Sequence, residues 1–286
     1  MARCDVCFRH CDIPEGRRGF CGARTNVGGA IIPENYGRVT AQALDPIEKK
    51  PLRRFHPGAT ILSVGSYGCN LRCPFCQNSA ISWSPEAMDC RATAETFTPR
   101  ALADTAAKLR PCGNIGVAFT YNEPLIGWEF VRDTAALVHQ AGLSAVLVTN
   151  GTAELHVLEA LGPHIDAMNI DLKGFTEAYY TRVLGGSLDM VKAFIARAAQ
   201  LCHVELTTLI VPGENDSEDE MRALTGWVAG LTDAHGRTVG SQIPLHISRF
   251  FPRFHMTDRP ATDVERVYRL ADVAREKLAY VYTGNC

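Results

Sequence analysis

From residue 60 onward, short apolar runs rich in β-branched residues alternate with segments of helical period. The strand candidates are ATILSV (59–64), IGVAFT (115–120), SAVLVT (144–149), AMNIDL (167–172), VELTTLIV (204–211), IPLHIS (243–248) and AYVYT (279–283). Between them lie ALADTAAKL (101–109), LIGWEFVRDTAALVHQ (125–140), AELHVLEAL (153–161), LDMVKAFIARAAQL (188–201), EDEMRALTGWVAGL (218–231) and TDVERVYRLADVAREKL (262–278). Strands separated by helices of that length cannot pair as tight hairpins. They run parallel and cross over through βαβ units. The pattern predicts an α/β fold, a full or partial (β/α) TIM-type barrel over residues 59–286. No GxGxxG follows the first strand, which weighs against a doubly wound dinucleotide-binding sheet. A barrel carries its functional residues at the carboxyl ends of its strands, and polar residues gather there in this chain.

Residues 1–58 break the pattern. They are rich in Cys, Gly, Pro and Arg, carry the turn signals NVGG (26–29) and PENYG (33–37), and show no helical period. The expectation is a small cysteine-rich module followed by the lead-in DPIEKKPLRRFHPG (45–58). The formal net charge of −2 leaves no overall electrostatic footprint for nucleic acid or an anionic membrane. No run approaches the ~20 apolar residues of a membrane span, and the first 22 residues lack the apolar stretch of a secretory signal. A cytoplasmic, reducing location is therefore expected, and it bears directly on the cysteines.

Seven of the 11 cysteines fall in two clusters: Cys4, Cys7, Cys11 and Cys21, then Cys69, Cys73 and Cys76. Clustered thiols in a reducing compartment point to metal rather than disulfides. The second set, in GSYGCNLRCPFCQNS (65–79), follows directly on the first parallel strand. Three thiolates can hold three irons of a [4Fe–4S] cluster and leave the fourth iron without a protein ligand. Structural zinc wants four ligands, and no fourth Cys or His lies near; Cys90 is fourteen residues on. The amino-terminal four suit a closed tetrahedral zinc first, with a second [4Fe–4S] cluster that relays electrons as the alternative. Residues 1–25 hold few large apolar side chains, so the metal is expected to supply the module's folding free energy. Cys112 and Cys202 read as buried thiols without a chemical role.

The spacing Cys69-x3-Cys73-x-Phe75-Cys76 resembles the CxxxCxΦC loop of the radical S-adenosylmethionine (SAM) superfamily, over roughly residues 55–285. The resemblance implies that SAM chelates the open iron through its amino and carboxylate groups. An electron from a low-potential donor of the flavodoxin or ferredoxin type then splits the sulfonium. The 5′-deoxyadenosyl radical so released abstracts hydrogen from a substrate. FTYNEP (119–124) occupies the place of the superfamily's GGE-like motif, which implies Glu123 as ligand of the SAM ammonium with Thr120, Tyr121 and Asn122 around it. The other reading of this stretch is a helix start with Pro124 in the first turn. TNG (149–151) implies Thr149 and Asn150 near the methionine or ribose end of SAM.

In MNIDLKG, strand period places Asn169, Asp171 and Lys173 on one face, where polar groups are costly unless satisfied. A structural Asp–Lys pair is one reading. The match to the DxK element of pyruvate formate-lyase activating enzymes implies contacts to SAM or to a cation near its carboxylate, although the Asp those enzymes carry before the TNG threonine is here Val148. Later strands add Glu205, Thr207, Arg249 and His246, the last as a SAM or substrate contact. The cysteine module together with DPIEKKPL (45–52), FHPG (55–58), QNSAIS (77–82) and IDLKGF (170–175) resembles the AmmeMemoRadiSam system radical SAM enzymes. That branch implies association with Memo-type and AMMECR-type proteins and leaves the substrate open, a glycyl-radical activase being the alternative. Relatives in that branch continue past YTGN with a further cysteine pair, where this chain ends at Cys286.

Overall fold

The computed structural model describes residues 1–286, the side chain of Met88 apart. Its centre is an eight-stranded sheet: β1 (Ala41–Pro46), β2 (Thr60–Gly65), β3 (Asn114–Phe119), β4 (Ser144–Thr149), β5 (Ala167–Asp171), β6 (His203–Ile210), β7 (Leu245–Arg249) and β8 (Val281–Gly284). The strands lie in chain order from β1 to β8. All neighbours are parallel except β1, which pairs antiparallel with β2 from Ala41↔Gly65 to Pro46↔Thr60. Each gap between parallel strands is filled by one principal helix: α1 (Pro99–Lys108), α2 (Trp128–Gln140), α3 (Leu155–Leu161), α4 (Leu188–Ala198), α5 (Glu218–Ala229) and α6 (Val264–Arg275). Side-chain oxygens cap four of them: Thr98 accepts from Ala101 N, Ser187 from Met190 N, Ser217 from Glu220 N and Asp263 from Glu265 N. Each such cap is worth about 1 kcal/mol.

The sheet's two edges, β1 and β8, do not pair, so the barrel is partial rather than full. The expected break at residue 58 also needs correction, because β1 lies within the lead-in and forms the edge of the main sheet. The amino-terminal module contributes two short antiparallel pairs, Ala2–Arg3 with Asp12–Ile13 and Arg24–Val27 with Ala30–Pro33. It has more apolar support than its composition suggested. Val6 and Ile13 are buried and join the core of the barrel. Cys112 is exposed rather than buried, and Cys202 is half-buried with its thiol toward Ala198 O.

Strand alternation assigns the two faces of the sheet. Leu62, Val117, Leu147, Ile170, Leu206 and Ile247 pack outward into the helix layer. The inner face starts apolar, where Ile61, Ala118, Val146 and Ala167 meet Ile47 and Leu52 of the lead-in. One step further along the strands it turns polar. The buried Glu205 carboxylate accepts from Arg53 N (2.9 Å) and Arg54 N (2.7 Å), and bonds His203 Nε2 (3.0 Å) and His246 Nε2 (2.6 Å). Asn169 donates to Pro51 O (2.9 Å) and accepts from Thr207 Oγ1 (3.0 Å). Residues 47–54 are thus fastened inside the barrel and plug its lower half.

Burial alone would push the Glu205 carboxyl up, but the bonds from His203, His246 and the two backbone amides outweigh it and hold the pKa at about 2. A folded-state value below the ordinary one contributes stability above the ordinary carboxylate range, and that contribution is lost as pH falls toward about 2. Glu205→Gln weakens charge-assisted bonds and is expected to cost about 1.5–3 kcal/mol in denaturant unfolding at neutral pH. The gap between variant and wild type should narrow below pH ~4. A gap that is absent at neutral pH, or constant down to pH ~3, contradicts this role.

Candidate active site at the carboxyl ends of the strands

The loop after β2 carries Cys69, Cys73 and Cys76 into a cavity of about 440 Å³ over the carboxyl ends of the strands. Gly68 makes the entry possible. It sits at φ +92°, and a Cβ there would stand 2.6 Å from Cys21 O. The loop is held by Asn122, whose Oδ1 accepts from Ser66 N (2.9 Å) and whose Nδ2 donates to Gly68 O (3.1 Å). Cys69 Sγ accepts from Leu71 N at 3.4 Å and faces Asn150 Nδ2 at 3.8 Å. Phe75 packs edge-on against Phe250 beside the cavity, their ring centres 6.2 Å apart.

Glu123 is buried at the end of β3 and ties two strand ends together. Its carboxylate accepts from Thr149 Oγ1 (2.6 Å), Asn150 N (2.8 Å) and Leu125 N (3.0 Å). The last bond also caps the short 3₁₀ turn Pro124–Gly127, so the helix-start reading and the cavity-lining position coexist in one residue. Burial outweighs these bonds and raises the carboxyl to about 7. A cation arriving in the cavity would favour the charged form.

Tyr121 stands beside it at φ +71°, a conformation rare for a residue with a side chain. Its hydroxyl donates to Asp45 Oδ2 (2.9 Å), which also takes Lys50 Nζ at 2.9 Å. Asp171 and Lys173 pair at 2.6 Å on the cavity wall. Burial opposes the Lys173 charge, but Asp171 and Cys73 hold it protonated above the ordinary lysine range. The structural Asp–Lys pair therefore exists, and it faces the cavity.

Seven of the nine residues expected to contact SAM come together here: Tyr121, Asn122, Glu123, Thr149, Asn150, Asp171 and Lys173. Two do not. Thr120 lines a separate small cavity with Asn35, Val64 and Phe130. His246 lies on the correct face but one step too low, bonded to Glu205 beneath the cavity, while Ser248 two residues on lines it. Period-two alternation fixes a side chain's face, and height along the strand has to come from register. Asn78, Phe251, Arg253 and Asn285 also reach the cavity, from loops and the chain's end, where no periodic signal marks them. Asp45 and Lys50 were visible only as part of a motif with no assigned task.

A family model described as the Radical SAM superfamily matches residues 63–225. The chain belongs to this superfamily. It is 39% identical, over 99% of its own length and 81% of the other's, to an uncharacterized protein of Methanocaldococcus jannaschii. It is 25% identical to the pyruvate formate-lyase-activating enzyme of Clostridium pasteurianum, covering 74% of this chain and 88% of that one. The structure of Streptococcus suis SuiB bound to S-adenosylmethionine superposes with a TM-score of 0.57 at 12% identity, over 77% of this chain and 48% of SuiB. That likeness concerns the fold alone.

A radical SAM protein implies a [4Fe–4S] cluster and SAM, and the loop's chemistry fits the cluster. Burial pushes the Cys69 thiol well up, with the Glu123 charge adding to it, and holds Cys73 at about 11 despite Lys173. Without a multivalent cation these thiols stay protonated; with one they become ligands. Three thiols spread around one cavity suit a cluster, in which each thiolate takes its own iron. Replacing Cys69, Cys73 and Cys76 together with Ala should remove about four irons per chain. An unchanged iron content with an unchanged ⁵⁷Fe Mössbauer spectrum refutes the ligand assignment.

Proposed function

We propose that this protein cleaves SAM reductively at a [4Fe–4S] cluster held by Cys69, Cys73 and Cys76, and that the 5′-deoxyadenosyl radical abstracts hydrogen from a substrate. The observation that carries the reading is the shared cavity, in which the three thiols meet Glu123, Asn150 and the Asp171–Lys173 pair. The cluster would supply the single electron. The protein's own residues bind, orient and exclude water. The Glu123 Oε2 has one bonded donor and room for another, which suits the SAM ammonium. Lys173 is a charged donor for the carboxylate, and Tyr121, Asn122, Thr149 and Asn150 line the space for the rest of SAM. Val148 lines the cavity where a cation site would want an Asp, so carboxylate binding falls to Lys173 without a metal ion.

A cavity of about 440 Å³ lies low in the range that holds one drug-sized ligand. With cluster and SAM inside, and residues 47–54 plugging the lower barrel, the substrate approaches from the mouth near Phe251 and Arg253. An iron–sulfur carrier without catalysis has no use for such a cavity. The likeness to a pyruvate formate-lyase-activating enzyme favours a second reading, hydrogen abstraction from a glycine Cα of a partner enzyme. The AmmeMemoRadiSam branch, with Memo-type and AMMECR-type partners, stands on the cysteine module and the DPIEKKPL segment. A flavodoxin or ferredoxin would supply the electron. No helix among the described residues is long and apolar enough to cross a membrane.

Anaerobic incubation of reconstituted protein with SAM and dithionite should yield 5′-deoxyadenosine, and no such product under these conditions overturns the reading. Glu123→Gln should weaken SAM binding about tenfold or more while loop iron stays in place, since a charge-assisted bond is worth roughly 1.5–3 kcal/mol. Unchanged SAM affinity would leave Glu123 as a clamp between strand ends.

A further inference from the structure

The proposed function engages one side of the cavity. Glu123, just past β3, and Lys173, just past β5, would hold the amino and carboxylate groups that SAM presents to one iron. Arg249 ends β7, two strands beyond β5. Neighbouring strands lie about 4.8 Å apart, so the end of β7 stands roughly 10 Å from the end of β5. Arg249 and Arg253 both line the cavity on this far side, as does Phe251 between them in the chain.

The cavity's own carboxylates are committed elsewhere. Glu123 is bonded to Thr149, Asn150 and Leu125, and Asp171 to Lys173. Arg259, on the same loop between β7 and α6, pairs with Glu214 (3.0 Å) and Asp258 (3.1 Å). Arg249 and Arg253 have no such partner among the described residues. Arg249 is half-buried; its Nε donates to Thr262 O (2.7 Å), and its guanidinium carbon lies 4.9 Å from the centre of the Phe251 ring. An arginine fixed in this way leaves its two Nη groups free, the fork that takes carboxylate or phosphate oxygens in pairs.

The rim that carries these residues is held in place. Thr262 Oγ1 donates to Ile210 O (2.6 Å) and accepts from Phe250 N (3.2 Å). Arg253 and Met256 exchange backbone bonds of 3.1 and 3.0 Å, and His255 N donates to Pro74 O (2.8 Å) inside the cysteine loop. Phe254 takes φ +52°, with its ring edge-on to Trp83 at 4.8 Å. Strain of this kind persists only where the surroundings enforce it, and it gathers at ligand sites. The exposed Arg253 side chain is thus set at the cavity mouth on a fixed turn. Two cations on one wall favour an anion between them. The SAM carboxylate cannot serve, because it shares a carbon with the ammonium and stays with it near Glu123 and Lys173.

We propose that Arg249 and Arg253 bind an anionic group of the substrate, a carboxylate or a phosphate, and that Phe251 packs against the adjoining apolar part. The role of the bound molecule as hydrogen donor rests on the proposed function; the anion site does not.

The test uses the full reconstituted chain, reduced with dithionite. S-adenosylhomocysteine, which has no sulfonium to cleave, fills the SAM site. Inorganic phosphate and succinate are titrated separately, and the reduced cluster should speed relaxation of the ³¹P or ¹H resonance of the one that binds. Relaxation of phosphate assigns a phosphate-bearing substrate and relaxation of succinate a carboxylate-bearing one. Arg249→Gln and Arg253→Gln should each weaken that binding at least about tenfold, while SAM affinity of the oxidised protein changes less than about twofold. The Arg253 side chain makes no bond within the chain, so its variant keeps the test open should Arg249→Gln disturb the rim. No relaxation of either anion, or equal relaxation in wild type and both variants, overturns the proposal. A loss of SAM affinity as steep as the loss of anion affinity also overturns it, by making the arginines ligands of SAM. Anion binding in a protein that forms no 5′-deoxyadenosine would sink the proposed function and leave the site standing. Formation of 5′-deoxyadenosine without anion binding sinks the site alone.

Discussion

Desolvated thiols beside a buried carboxylate are the constraint on which the site depends. Cys69 and Cys73 are pushed toward their neutral forms by burial, and Glu123 is pushed the same way within the same cavity. In their ionised forms these groups would be costly together unless cations faced them. On the proposed function, iron would offset that charge at the thiols and an ammonium would offset it at Glu123. The surrounding bonds fix the groups in place: Asn122 holds the loop, Asn150 Nδ2 donates to Asn70 Oδ1 while facing Cys69 Sγ, and Lys173 keeps Asp171 occupied.

The rest of the fold holds those groups at the right height. Residues 47–54 fill the lower barrel and are fixed by Glu205 and Asn169, and the cavity of the three cysteines lies above them at the carboxyl ends of the strands. Asp45 and Lys50 link that plug to the cavity through Tyr121, whose left-handed backbone turns its ring over Gly65. A Cβ at Gly65 would meet the Tyr121 ring at 2.9 Å. The strain at Tyr121 is thus held by an ion pair below and a glycine beside it.

The parallel strands and helices were legible because two periods, 2 and 3.6, are written plainly in segments such as SAVLVT and LDMVKAFIARAAQL. The three-cysteine loop was legible because spacing in a short loop fixes distance. β1 was not, since AQALDP is half-exposed along its length and contains Gln, Asp and Pro, which read as loop. His246 and Thr120 were misplaced for a different reason. A sequence gives the face of a residue, but its level depends on register with neighbours such as Thr207↔His246, and the direction at a strand's end depends on a single backbone angle at Tyr121. The link between the cysteine module and the loop, hydrogen bonds such as that from Cys69 N to Cys21 O across 48 residues of chain, leaves no mark in any local pattern.

The central claim is that the loop cluster keeps one iron open and that SAM occupies it. Electron–nuclear double resonance on the reduced protein, with SAM carrying ¹⁵N in its amino group and ¹⁷O in its carboxylate, tests this most directly. Hyperfine coupling of both nuclei to the cluster spin, lost in the variant without Cys69, Cys73 and Cys76, is the expected result. A reduced cluster that shows coupling to neither nucleus at saturating SAM would contradict the account.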